Sequence, residues 1–141
     1  MPASVVKAEE MRQRYLKEAV VTATPAMRLV MLYDRLVLDL HRVDDGFERG
    51  DFKTVNDSLC RSQDILLALR GTLRTDIWDG AAQLSQMYFL LYRELIEANM
   101  AKDRAQVQRV AAVVESLAAA WHRAAEQESG RGAGNTAGAA S

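Results

Sequence analysis

The chain has a single cysteine, Cys60, in 141 residues, and its two prolines, Pro2 and Pro25, both lie near the start. One thiol permits no intramolecular disulfide, so a reducing compartment is the simple expectation, and Cys60 reads as a small core filler rather than a nucleophile. Eighteen basic against nineteen acidic residues leave a net charge of -1. Such a balance supplies no field for phosphate backbones, which argues against nucleic acid binding. Long apolar runs are missing too: runs such as 29–33 and 89–92 fall far short of the roughly 20 residues a membrane span needs, so no membrane insertion is expected. Residues 1–17 lack a basic start followed by an apolar stretch, so no signal peptide is visible and the protein should be cytoplasmic. Nearly half the residues are apolar and glycine is scarce outside the C-terminal end, a composition that favours an all-helical domain.

Four segments carry apolar residues spaced by threes and fours, as a helix face packed in a bundle requires. The first holds Leu29, Tyr33, Leu36, Leu40, Val43 and Phe47. The second holds Phe52, Val55, Leu59, Leu66, Leu69 and Leu73, with Ser62 completing the rhythm. The third holds Ile77, Ala81, Leu84, Tyr88, Leu91, Leu95 and Ala98, and the fourth Val107, Val110, Val114, Leu117, Trp121 and Ala124. Four seams of one period predict an all-α fold, an antiparallel four-helix bundle. Thr24 can cap the first helix with Pro25 at its first position. Gly50 suits a left-handed stop with Asp51 capping the next helix. Thr75, Asp76 and Asp79 compete as caps of the third helix, and Asp103 with Gln106 resembles a capping box at the fourth. Each helix should then run roughly 22 to 26 residues.

The ends fall outside these seams, which divides the chain into an N-terminal cap or leader segment over 1–24, a bundle over 25–128 and a tail over 129–141. Within the first, residues 7–18 read as a short charged helix too poor in apolar residues to stand alone, followed by the stiff, β-branched leader Val20, Val21, Thr22, Ala23, Thr24. The Gly/Ala-rich tail cannot bury enough surface to offset its ordering entropy and reads as disordered.

Little here can do chemistry. His41 and His122 are the only histidines; neither follows a glutamate by three residues, as a di-iron carboxylate bundle would require, so both read as helix-face residues rather than metal ligands. A Cys60/His122 pair has no supporting context for nucleophilic catalysis, and the Gly-x-Gly of the tail follows no strand. What stands out is surplus apolar surface. Met31 and Leu38 lie a heptad apart outside the main seam of the first helix, Cys60 and Leu67 do the same on the second, and Trp78, Phe89, Leu90, Tyr92 and Ile96 widen the third. Any one of these residues can thicken a core, but a second stripe on several helices is what a groove for another amphipathic segment needs.

Tyr15, Val20, the run Thr22-Ala23-Thr24-Pro25, Leu29 and Met31-Leu32-Tyr33-Asp34 resemble the N-terminal signature of the FliS family of flagellar secretion chaperones. The likeness continues through Ser62-Gln63-Asp64-Ile65-Leu66, 88–91, Glu97-Ala98-Asn99, Asp103 and Trp121. It implies a cytoplasmic bundle that binds the disordered C-terminal segment of flagellin in apolar grooves, prevents premature filament polymerisation and presents the client to the flagellar export gate, with no cofactor or enzymatic step. It also implies that the segment around Tyr15 covers a groove until client displaces it. On that basis Tyr15, Leu16, Val20, Thr22, Met31, Leu38, Leu67, Phe89 and Ile96 are candidate partner-binding residues in a monomer or weak dimer. Asp34 could hydrogen-bond the leader, and Trp121 sits in the seam. Arg35 stands where the family commonly has glycine, Ser62 where alanine often precedes the glutamine, and Ile77-Trp78-Asp79-Gly80 makes a bulky turn; these departures bear on groove shape and client choice. Trp78-Asp79-Gly80 also prompts an alternative, a secreted Trp-x-Gly helical hairpin, but no tyrosine has an acidic residue four positions on and four helices are expected. An unrelated bundle-shaped adaptor is the other alternative.

Overall fold

The computed structural model describes Ala8, Glu10, Met11, 25–73 and 79–140, with side chains of the last stretch over 80–127. Four helices follow in order: α1, Pro25–Glu48; α2, Phe52–Gly71; α3, Asp79–Ala101; and α4, Arg104–Ala140. Ala8, Glu10 and Met11 are helical and exposed. The expected cap at Thr24, the candidates Thr75 and Asp76, the seam residue Ile77 and the bulky Trp78 lie outside the described residues, as do the side chains of the Gly/Ala-rich tail.

Helices α1, α2 and α3 have 24, 20 and 23 residues, close to the expected length, whereas α4 has 37. The two short connections use one backbone device. At the end of α1 the Gly50 N–H bonds the Phe47 carbonyl at 3.2 Å and the Asp51 N–H bonds Gly46 at 2.8 Å, with Gly50 at φ +68°. This is the left-handed stop that a residue without Cβ adopts at no steric cost. Asp51 then turns from terminator to cap, accepting the Thr54 N–H at 3.1 Å and the Thr54 hydroxyl at 2.7 Å. At the end of α3, Lys102 takes the same left-handed geometry with φ +52°, and the Asp103 N–H bonds Ala98 at 2.9 Å. Asp103 caps α4 by accepting the Gln106 N–H at 3.1 Å, but the Gln106 side chain reaches Glu97 rather than closing the expected capping box.

Each helix packs on its chain neighbours, and α4 closes on α1. Cross-helix pairs run in opposite sequence directions, which makes all the neighbours antiparallel: Asp34 with His122 and Asp44 with Arg104, Asn56 with Asn99 and Arg70 with Ser85. The core is the set of seams read from the sequence: Tyr33, Leu36, Leu40 and Val43; Val55, Leu59, Leu66 and Leu69; Tyr88, Leu91, Leu95 and Ala98; Val107, Val110 and Val114. Ser62 is fully buried, its hydroxyl donating to the Ser58 carbonyl at 2.8 Å.

Two seam assignments and the reading of Cys60 are corrected. Phe52 is exposed, because as the first residue of α2 it lies past the end of the core and meets Phe47 edge-on at 6.2 Å. Ala124 is also exposed; Leu117 packs half-buried against the core, and Ala118 beside it is buried. Cys60 is exposed rather than a core filler; one residue past fully buried Leu59, it is rotated about 100° away from the core stripe.

Two predictions follow from this packing. Gly46 is buried where α1 meets α2, and a Cβ there would lie 3.0 Å from Val55 Cγ2, 3.1 Å from the Asp51 carbonyl oxygen and 3.2 Å from the Val55 nitrogen. Backbone atoms cannot rotate away, so Gly46→Ala should lower the urea midpoint, by about 1–3 kcal/mol of stability, despite alanine's better helix propensity. The second concerns the α1–α4 clamp, where Arg104 binds Asp44 through Nε at 2.9 Å and through a second guanidine nitrogen at 3.2 Å, and Gln108 donates to Asp44 at 3.0 Å. The Arg104 hydrogen bonds, followed by that of Gln108, hold the Asp44 carboxyl below its ordinary range. The clamp's contribution is therefore fully present above the normal carboxylate range near pH 4 and is lost as pH falls through the lowered folded value. Asp44→Asn should be less stable at neutral pH and lose less stability on acidification, measured as urea midpoints across that window.

Candidate interaction surfaces

One surplus of apolar surface lies along α2 and α3. Arg70 donates to Ser85 at 3.0 Å and Asn99 donates to Asn56 at 2.9 Å, which fixes the facing flanks of the two helices. On α3 that flank continues, at helical spacing, through Phe89, Tyr92 and Ile96, and on α2 through Cys60, Gln63 and Leu67. Leu67 is 42% exposed and Phe89 41%; Tyr92 and Ile96 are half-buried. Phe89 stacks on Tyr92 at 6.1 Å, and the Arg70 guanidinium lies 4.8 Å from the Phe89 ring centroid. The strip thus ends on a cation at one side and an amide pair at the other, with ring faces between them. Its sequence signal was the second heptad on α3; the bracketing by Arg70 carried no such signal, because a lone arginine on a helix face is ordinary.

A second strip runs along α3 and α4. The Gln106 contact to Glu97 sets the register, and it brings Met87 and Leu90, on the other flank of α3, alongside Val113; all three are exposed. Val113 was not anticipated, since it sits among buried valines and only packing shows which of them faces out.

At the end of the bundle where α1 begins, the described residues outline a cleft of about 610 Å³ lined by Pro25, Leu29, Leu32, Leu73, Tyr88 and Trp121, among others. Beneath it the Tyr33 and Tyr88 hydroxyls hydrogen-bond each other, and Trp121 lies 6.4 Å from Tyr33. Burial pushes both phenols above the ordinary tyrosine range. The floor of the cleft is therefore uncharged, aromatic and already satisfied in its hydrogen bonds.

Of the candidate partner-binding residues, Leu67, Phe89 and Ile96 come together on the α2–α3 strip. Met31 and Leu38 do not join them: both lie on the outer face of α1, across the bundle, Met31 half-buried and Leu38 44% exposed. Tyr15, Leu16, Val20 and Thr22 lie outside the described residues. Asp34 binds His122 at 2.7 Å, and His41 pairs with Glu115 at 3.2 Å, so both histidines are helix-face residues bridging α1 and α4. Among the described residues no group of three or more His, Cys, Asp or Glu side chains could hold a metal ion, and no helix is long and apolar enough to cross a membrane.

Comparison with known proteins gives a consistent picture. A family model described as "Flagellar protein FliS" matches residues 7–128. A curated relative from Bacillus subtilis (strain 168), named flagellar secretion chaperone FliS, is 30% identical over 114 residues, covering 81% of this chain and 85% of the relative. Another of the same name, from Salmonella typhimurium (strain LT2), is 27% identical over 108 residues, covering 75% of this chain and 80% of its own.

Proposed function

Since the chain belongs to the FliS family of flagellar proteins, we propose that it is a cytoplasmic export chaperone that binds the disordered C-terminal segment of flagellin, keeps it from polymerising early and delivers it to the flagellar export gate. The observation that carries the reading is the α2–α3 strip: exposed Leu67 and Phe89, with half-buried Tyr92 and Ile96, form an apolar line that the core consumes only in part. A client segment gains by covering that line and loses the entropy of becoming ordered, so affinity depends on how much apolar area the strip presents. An amphipathic helix suits it, because apolar residues at i, i+3, i+4 and i+7 meet a line built on the same spacing. No catalytic step or cofactor is involved.

In this reading 25–128 is the chaperone domain, 1–24 its cap and 129–141 an appendage. Pro25, the first residue of α1, lines the end cleft, so the roughly ten residues from Tyr15 to Pro25, which can span up to about 33 Å when extended, are long enough to bring Tyr15 over it. The cleft's aromatic floor favours an aromatic guest. Cap and client would then compete for apolar surface, and a monomer or weak dimer suffices.

Titrating a flagellin C-terminal peptide into the full chain should give one-to-one binding with a gain of helical circular dichroism. The Leu67→Ser/Phe89→Ser double variant should weaken that binding at least tenfold, as loss of two central apolar anchors does, while keeping the wild-type urea midpoint. Absence of heat and of helix gain with wild-type protein would end the chaperone reading. A second measurement addresses the cap: Tyr15→Ala, or removal of residues 1–18, should leave the helical spectrum unchanged and increase binding of an apolar dye. Collapse of the helical signal would instead make Tyr15 part of the core.

A further inference from the structure

The outer face of α1 carries a pattern that the chaperone reading does not use. Arg28, Arg35, Arg42 and Arg49 recur every seven residues, so they form one row along the helix. Beside the row, farther from α2, runs an apolar line of Met27, Met31 and Leu38, of which Met27 and Leu38 are exposed and Met31 half-buried. From Arg28 to Arg42 the face extends about 21 Å. Arg49, at its end, is engaged by Asp45 at 2.9 Å.

The centre of the row is built in an unusual way. Asp39 is fully buried between α1 and α2. Its Oδ1 accepts hydrogen bonds from Arg42 and from Arg61 of α2, each at 3.3 Å. Its Oδ2 makes no hydrogen bond and faces Arg35 Nε at 3.5 Å. Three guanidiniums thus share one carboxylate, a formal local excess of two positive charges, yet their side chains are 56%, 46% and 45% exposed for Arg35, Arg42 and Arg61. Each guanidinium has five N–H donors and Asp39 engages only a few; Arg61 also donates to the Ser58 hydroxyl at 3.0 Å, and these half-exposed side chains keep further donors for a ligand. Of the other acidic side chains of α1, Asp34 is turned the other way onto His122 and Asp44 and Glu48 onto Arg104, while Asp45 is held by Arg49 at the end of the row. On α2, Asp57 is held by Lys53, and Asp64 is exposed near Arg61.

We propose that this face is a second docking surface, separate from the α2–α3 strip, and that its occupant is an acidic amphipathic helix whose apolar residues lie along Met31 and Leu38 and whose carboxylates engage Arg35, Arg42 and Arg61. The apolar line supplies contact area, and the Asp39-anchored arginines supply register and orientation, since guanidiniums held in place lose little freedom on pairing. Charge complementarity selects the occupant: a basic helix with the same apolar spacing is repelled by the same arginines.

The test uses the full chain and two labelled 25-residue helical peptides that share leucines at heptad spacing and carry either glutamates or lysines along one flank. Fluorescence anisotropy should show the glutamate peptide binding at least tenfold more tightly than the lysine peptide, with the preference fading as salt rises from roughly 0.05 to 0.5 M. Arg28→Gln/Arg35→Gln, which leaves Arg42 and Arg61 on Asp39, should cut glutamate-peptide binding about tenfold with the helical circular dichroism retained, and Leu38→Ser should do so independently of salt. Equal binding of both peptides, wild-type affinity in both variants, or competition only from a second copy of this chain overturns the proposal.

Discussion

The bundle is pinned across its diagonal by one polar contact, the hydrogen bond between the Tyr33 and Tyr88 hydroxyls. Both rings are fully buried, so each hydroxyl must find a partner inside the protein or carry the cost of an unmade bond. Only one register of α1 against α3 brings the two oxygens together, and these helices otherwise meet chiefly through their neighbours. Trp121 of α4 packs against the same Tyr33 ring. A single layer therefore couples three helices, and the end cleft is the open side of that layer.

With the register pinned, the outer seams follow. The α2–α3 flank presents rings and aliphatic side chains between an arginine and an amide pair, whereas the α1–α4 seam is closed by the Arg104 clamp and the two histidine–carboxylate pairs. Polar pairs hold one seam and apolar residues line another, which is how a four-helix core remains stable while part of its surface stays available for association. Asp39 marks a third solution. A buried carboxylate among three arginines is weak evidence of stabilisation, because desolvation offsets the attraction, but it sets charge at a defined place between α1 and α2.

Both tight turns rely on a left-handed residue followed by an aspartate cap. Gly50 before Asp51 is legible, because glycine announces that conformation. Lys102 before Asp103 is not, because lysine adopts it at a cost that the antiparallel packing of α3 and α4 must offset. The position of Asp103 as a cap was nonetheless readable from its chemistry.

The sequence by itself determined the helical class, the four seams and their partners in the core, since a 3.6-residue period with apolar residues on one stripe admits few other solutions. Its run of residues from Tyr15 to Asp34 also pointed to the family, and the heptad spacing on α3 placed Phe89 and Ile96 on one flank of that helix. Only the tertiary structure decided that Met31 and Leu38 belong to a different face, that Cys60 points outward, and that Phe52 lies past the end of the core. Periodicity places a residue around its own helix, but which flank meets a neighbour, and where a core ends, depend on the rotation and register of helices far apart in the chain.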